Sequence, residues 1–563
     1  MADRVVKWAA LLITAVNLAI LVPPALTPRR WTDDVNTHYF WLNFRPGEYQ
    51  FADELRRFQS IGWRVLGSAL SLTPVPPTFY SGLLTLLLYG GFLGAAYAYA
   101  RRRVPGSPAF AAVFVLLLSL HPTLARDVAG GLPRSWAPLL QMLGLLTALE
   151  FSKGQAGALI LAALMHPISF LINAGTICIE WAYRVYRHLR EGTPLRESRM
   201  WAFAGVVVAL LVVLQVDQAR IARLDGKILT VRRHEAFNKG YRSETDQIRD
   251  FLTALRRKYA SSDDLDYNYV LFTKRLNYED HPVKRGEMRQ LARTRRYLIL
   301  VLCAVALVWA IRSRQLPREL IWWGLTGTIL YHLAVLLAWR LYAPDRYIFP
   351  AAIVIPSWLL AVFFAGALRR LRWLGVVPLV VFVLLWGTGV HPSYVYKNWD
   401  AWAGAAGFIR DGVPREALIA GHPRDMDPLP LMTGRKVYVA REFIQPWRPA
   451  LYDRNMQRAE NAIGMVYLTA DRVDLLRRVR VDYLLIGKQW LRDRYIKGEA
   501  SAFDEPIGSN WKHILSQTPE KDLVFQRDNL PAIQSAVVYE DETFVLVAVE
   551  RLLPLLTRTG SAP

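Results

Sequence analysis

Asp33 and Asp34 stand side by side just after the first apolar run of the chain, with His38 close behind. Two adjacent carboxylates can divide an acid–base step. One takes a proton from an incoming hydroxyl while the other orients that hydroxyl or binds a divalent cation. At the edge of a membrane the pair suits a substrate whose lipid tail stays in the bilayer. An acidic pair is also common on any solvated loop, and both readings stand at this point. His166, immediately before Pro167, falls inside an apolar run. An imidazole there is costly unless it lines a polar cavity or bonds a carbonyl freed at the Pro167 kink. His332 and Glu180 carry weaker forms of the same signal. The chain has no His-x-x-x-His, His-Glu-x-x-His or Cys-x-x-Cys spacing and no Walker-type Gly-Lys-Ser/Thr loop. Transition-metal catalysis and ATP-driven transport are therefore not indicated.

The elements that must position these residues are mostly apolar. Of 563 residues, 53% are hydrophobic. The mean hydropathy is +0.16, and blocks of about twenty apolar residues recur, the pattern of a polytopic membrane protein. The net charge of +22 is concentrated beside apolar runs, at Arg101–Arg103, Arg184–Arg199, Arg312–Arg318 and Arg369–Arg372. That is a positive-inside pattern rather than a nucleic-acid footprint, so no nucleic-acid partner is expected. Cys178 and Cys303 both sit in apolar runs, which leaves neither a disulfide framework nor a cysteine zinc site.

Apolar runs begin near Trp8, Phe79, Ala109, Trp136, Ala158, Trp201, Tyr297, Leu320, Tyr347 and Trp373. The fifth contains His166-Pro167 and can break and return. If it returns, all four arginine clusters share the cytoplasmic side, which predicts about eleven spans, an uncleaved first helix with the N-terminus inside, and the C-terminus outside. The expected architecture is an α-helical membrane domain over 1–391, with outside loops at 27–77 and 217–296, and an extracytoplasmic α/β domain over 392–563. Phe51 to Leu72 reads as an amphipathic stretch lying on the membrane surface. In the tail, Trp399–Asp411 and Asp471–Arg480 read as helices. Ala417–Ala420, Lys436–Ala440 and Asp482–Ile486 read as strands, and Ser535–Val549 reads as a hairpin turning at Asp541-Glu542. Gly421-His422-Pro423-Arg424-Asp425 follows a strand, where α/β folds often keep ligand loops.

The acidic pair in the first outside loop, the dozen or so spans and the outside tail resemble the GT-C superfamily of integral-membrane glycosyltransferases. Gly130-Gly131-Leu132-Pro133-Arg134-Ser135, His166-Pro167 and Pro344-Asp345-Arg346-Tyr347 are similar to stretches of an uncharacterised bacterial GT-C-like branch. The resemblance implies an enzyme of the cell envelope, in the cytoplasmic membrane. It would transfer a sugar with inversion from a polyprenyl-phosphate-linked donor to an extracytoplasmic glycan, lipid or protein acceptor, with Asp33 or Asp34 as base. Such a transfer needs cations to hold the leaving phosphate. Arg346 and Arg340 are the first candidates, Arg134 and Arg126 the next, with His38 and His166 as polar cavity residues and a divalent cation near Asp33 and Asp34 as a further expectation. Each arginine could instead snorkel or pair with a neighbouring acid. A transporter of a lipid-linked substrate and a non-catalytic accessory subunit built on a GT-C scaffold are the alternatives; a transporter favours ionisable residues deep in several helices and an internal repeat.

Overall fold

A computed structural model describes residues 2–27, 29–148, 152–192, 197–225, 301–337, 345–386, 396–443, 449–469, 473–491, 523–525 and 529–559. Arg340 and the part of the expected 217–296 loop beyond Asp225 lie outside the described residues. The helices used below are α1 (Ala2–Ile20), α2 (Asp33–Tyr39), α3 (Gln50–Phe58), α4 (Ile61–Leu70), α5 (Pro77–Arg103), α6 (Pro108–Ser119), α7 (Ala137–Thr147), α8 (Lys153–Met165), α9 (Pro167–Glu191), α10 (Glu197–Asp225), α11 (Arg318–Leu337) and α12 (Asp345–Leu371).

Proline sets several of these boundaries, because it suits the first helical turn and cannot continue a preceding one. It opens α5, α6 and α9. The expected run over Ala109–Leu124 is cut by it: α6 ends at Ser119 and a short helix restarts at Pro122. The fifth run breaks between Met165 and Pro167, and α8 packs against α9 rather than prolonging it. Against the roughly eleven spans expected from loop charge, four stretches among the described residues have the length and hydropathy to cross a membrane: Asp3–Leu26, Pro77–Arg103, Met200–Leu224 and Pro350–Leu384. The first is built into the bundle, since α1 lies along α6 and Asn17 Nδ2 donates to Ser119 Oγ at 3.0 Å.

Three of the four basic clusters converge. Arg103 pairs with Glu319, which also accepts from the Tyr99 hydroxyl at 3.0 Å. Glu180 accepts from Arg184 Nε at 2.8 Å, Arg318 Nη2 at 3.0 Å and Trp322 Nε1 at 2.9 Å. Both glutamates are buried, and a buried carboxylate is tolerated only with such multiple partners. The fourth cluster makes a different contact: Arg370 lies over the Trp309 ring, 4.5 Å from its centroid.

The tail forms a five-stranded mixed sheet. In chain order the strands are β1 (Arg30–Trp31), β2 (Lys397–Asn398), β3 (Leu418–Gly421), β4 (Lys436–Val437), β5 (Tyr483–Gly487), β6 (Val537–Glu540) and β7 (Phe544–Ala548). The sheet order is β4-β3-β5-β7-β6, parallel through the first three and antiparallel beyond. The hairpin turns where expected, because Asp541 Oδ1 takes the N–H groups of Thr543 and Phe544, both at 2.7 Å. The expected helices appear as Ala403–Gly412 and Val473–Val479. The helix Pro449–Val466 was missed, although Ala459, Ala462, Ile463 and Val466 mark one buried helical face at spacings of three and four.

The amphipathic stretch corrects an expectation. It is two helices, and the apolar face of α3 is covered by protein rather than by lipid. Phe51 packs on Phe443 at 5.1 Å, and Glu54 reaches Arg454 at 3.1 Å. Gly62 of α4 lies against the Leu164 backbone and Met165, while Val65 and Leu72 remain exposed.

Candidate active site

The acidic pair occupies the first turn of α2, after Thr32 in extended conformation. Carboxylates favour that place because the unpaired N–H groups of a helix start carry partial positive charge. Around this short helix the packing is dense. Val35, Asn36, Thr37 and Tyr39 are all buried. Trp31 Nε1 donates to Asn36 Oδ1 at 2.7 Å, and Tyr39 meets Trp63 edge-on at 5.3 Å.

The Gly130-Gly131 turn closes one side. Both glycines have positive φ, +88° and +59°, a conformation glycine adopts without penalty. A methyl group at Gly130 would lie 2.9 Å from Thr32 Oγ1 and from Val35 Cγ2. The Tyr39 hydroxyl donates to Gly131 O at 3.1 Å, Ser81 Oγ to Gly130 O at 2.9 Å, and Gly130 N to Thr85 Oγ1 at 2.8 Å. Gly131 N donates to Val128 O. The turn therefore spends its N–H groups internally. Its work is close approach to α2 rather than ligand cradling.

The other side is closed by the tail. β1 pairs antiparallel with β2, matching Arg30 to Asn398 and Trp31 to Lys397. Trp31 and Trp399 stack at 5.8 Å, and Trp399 Nε1 donates to Trp31 O at 3.2 Å. Farther along, Phe40 stacks on Phe443 at 4.7 Å, and Tyr49 bonds the Val437 carbonyl. Each aromatic pair adds roughly 0.5–1.5 kcal/mol beyond area burial. An exposed ion pair such as Arg415–Glu48, at 3.1 Å, is worth about 1 kcal/mol or less. The joint is thus held mainly by rings.

The structure brings some of the nominated residues together and not others. Arg126, on the short helix Pro122–Val128, and half-buried Arg134 flank the glycine turn, so both lie on the segment that borders α2. Arg346 stands in the first turn of α12. His166 caps α9: its Nδ1 takes the Ser169 N–H at 3.2 Å, and Gln141 Nε2 donates to the Ser169 hydroxyl at 3.2 Å. It lies behind α4, whose Gly62 touches Leu164 and Met165 while Trp63 touches Tyr39. His38 is held through Nδ1 by Gln59 Oε1 at 2.9 Å. Sequence reasoning missed Gln59 and the Trp31–Trp399 partnership; adjacency of Trp31 to the acidic pair was the available signal for the latter. Among the described residues no three of His, Cys, Asp and Glu gather to hold a metal.

In the tail, His422 is buried at the end of β3, and its Nδ1 accepts from Arg424 N at 3.3 Å. Burial, with the Arg424 and Arg441 guanidiniums, holds its pKa well below the usual imidazole range. Asp425 is also buried and accepts from Gln489 Nε2 at 3.1 Å, which ties the end of β3 to the end of β5. Trp399 is buried in the core.

No protein-family model matches the chain, and no curated protein matches it. Among solved structures, it is similar to the Archaeoglobus fulgidus oligosaccharyltransferase in the apo form. The TM-score is 0.48 at 11% identity, over 89% of this chain and 72% of that one. It is also similar to that enzyme tethered through a disulfide bond to an acceptor peptide containing the NVT sequon, with a TM-score of 0.44 at 12% identity and the same coverage.

Proposed function

We propose that this chain is an inverting membrane glycosyltransferase of GT-C type, which moves a sugar from a polyprenyl-phosphate-linked donor to an acceptor outside the cytoplasmic membrane. The observation that carries the reading is the position of α2. Its first turn holds Asp33 and Asp34; the helix packs on the Gly130-Gly131 turn of the membrane-helix bundle, and the residues on either side of it, Trp31 and Phe40, stack on Trp399 and Phe443 of the α/β tail. A donor anchored in lipid and an acceptor presented from water can meet at such a joint. One carboxylate takes the acceptor proton as the acceptor oxygen bonds the anomeric carbon, and the phosphate leaves with the electron pair of the broken C–O bond. Arg346, Arg134 and Arg126 are the candidate cations to offset the charge developing on that phosphate.

The test is a panel of undecaprenyl-phosphate-linked sugars given to purified full-length protein in liposomes, with release of undecaprenyl phosphate as the readout. Turnover of one donor, lowered about 10²- to 10⁴-fold in the Asp33→Asn, Asp34→Asn double variant, is expected. Full turnover in the double variant ends the acidic-base mechanism. Movement of intact donor across the bilayer without release favours the transporter alternative, and neither process favours the accessory-subunit reading.

A further inference from the structure

His38 stands apart on α2. Every other residue of this helix whose side chain is described, Val35 through Tyr39, is buried, and His38 alone is half-exposed. Residues four apart share a helix face, so the face left open at His38 is the face on which Asp34 stands. Asp33 shares its face with Thr37, which is buried. The ring of His38 is also fixed. Gln59 gives its amide nitrogen to Leu55 O at 3.1 Å and so turns Oε1 toward His38 Nδ1, 2.9 Å away. A carbonyl oxygen only accepts, so Nδ1 carries the proton and, in the neutral ring, Nε2 is the basic nitrogen.

We infer that Asp34 and His38 work as one proton-accepting unit, in which Asp34 is the base and His38, set in the Nδ1–H tautomer by Gln59, is its positioning partner and takes the proton on. This rests on the transferase reading above and assigns roles within the same site. The acceptor O–H breaks as its oxygen bonds the sugar, the proton passes to the Asp34 carboxylate and then to Nε2 of His38, and the phosphate leaves with its electron pair. Asp33 serves the helix start. The charged groups on neighbouring elements are Arg441, on the turn against α2, and Asp53, Glu54, Arg56 and Arg57 on α3 ahead of Gln59.

The experiment uses the full chain in liposomes and whichever undecaprenyl-phosphate sugar is turned over. Asp34→Asn should cost more than Asp33→Asn. His38→Asn should lower kcat about 10- to 100-fold at little change in KM, and should remove the imidazole limb on the acid side of the pH–rate profile while leaving the carboxylate limb. Gln59→Met should lower kcat in the same direction. Nitrogen-15 spectra of labelled protein at alkaline pH should show Nδ1 of His38 protonated. If His38→Asn keeps wild-type kcat and pH profile while Asp34→Asn is inactive, the inference fails and the transferase reading survives. An inactive Asp33→Asn beside an active Asp34→Asn overturns the assignment of the base. Full activity of both Asp variants ends the acidic-base mechanism, and this inference with it, while the transferase reading stands on the turnover observed. If no donor is turned over, the spectra still decide, and an Nε2–H tautomer overturns the inference.

Discussion

Trp31 and Trp399, 368 positions apart, stack with an interplanar angle of 22°, and the indole N–H of the second reaches the carbonyl of the first. The stack falls two residues before Asp33. It makes the position of the acidic pair depend on the tail as directly as on the membrane helices. Arg29–Asp400, at 3.6 Å and about half exposed on both sides, lies beside it and adds little.

Trp399→Ala should therefore destabilise the chain by about 3–5 kcal/mol, the usual cost of removing a buried large aromatic. It should also loosen α2. Thermal unfolding in detergent measures the first effect, and protease sensitivity of the 27–50 segment the second. Asp400→Ala is the control and should change neither. Equal effects of the two substitutions would show that the rings are not the tie.

Gly130→Ala separates space from composition. The new methyl must displace Thr32 or Val35, and the backbone holds φ at +88°, so cost comes from both sterics and the left-handed conformation. A loss of about 1–3 kcal/mol is expected, with turnover falling because the first turn of α2 is pushed. Gly157→Ala, in α8 with nothing within 4 Å of its added carbon, should be neutral or slightly stabilising. If both behave alike in a thermal melt, the turn does not press on α2.

The sequence announced breaks better than partners. Pro167 marked its break by a local rule and Pro122 carried the same signal, although the run from Ala109 to Leu124 was read as unbroken, and Asp541 makes its turn with its own neighbours. The strands β3, β5 and the β6–β7 hairpin were legible for the same local reason, through short apolar runs bounded by turn residues. The period of Phe51 to Leu72 showed that one face is buried, but nothing in a period says whether lipid or a distant sheet covers it. The pairing of Tyr99 with Glu319, 220 positions apart, and the stacking of Trp31 on Trp399 are products of the folded topology. For the site, the acidic pair, His38 and the glycine turn were visible as residue types. The lock on His38 was not, because Gln59 lies twenty-one positions away and carries no motif.

His422 gives the tail a pH dependence with a definite sign. Its folded pKa lies well below the ordinary value of 6.5, through burial first and then Arg424 and Arg441. The unfolded chain therefore binds the proton more readily. Stability from keeping His422 neutral is full above about pH 6.5 and is lost as pH falls from there toward the depressed folded value. Melting of the full chain should move to lower temperature between about pH 6.5 and pH 5, and His422→Gln should flatten that slope. An unchanged slope in the variant would assign the acid sensitivity to another group.

Arg346 offers the clearest separation between binding and proton transfer. It occupies the first turn of α12, where the helix start and a guanidinium both favour an anion. If it holds the donor phosphate, Arg346→Ala removes a charge-assisted contact present in the ground state and strengthened as the phosphate leaves. KM for the undecaprenyl-phosphate sugar should rise and kcat should fall, together lowering kcat/KM by about 10- to 100-fold, the equivalent of roughly 1.5–3 kcal/mol. Lysine keeps the charge but not the two-pronged donor geometry, so Arg346→Lys should recover only part of the loss. Arg134→Ala, beside the glycine turn, should follow the same pattern if it shares the phosphate, whereas Asp34→Asn should act on kcat with little change in KM. Steady-state kinetics on the four proteins decides. An Arg346→Ala enzyme with unaltered KM and kcat would return that arginine to the role of a membrane-edge anchor and leave the phosphate to the segment between Arg126 and Arg134.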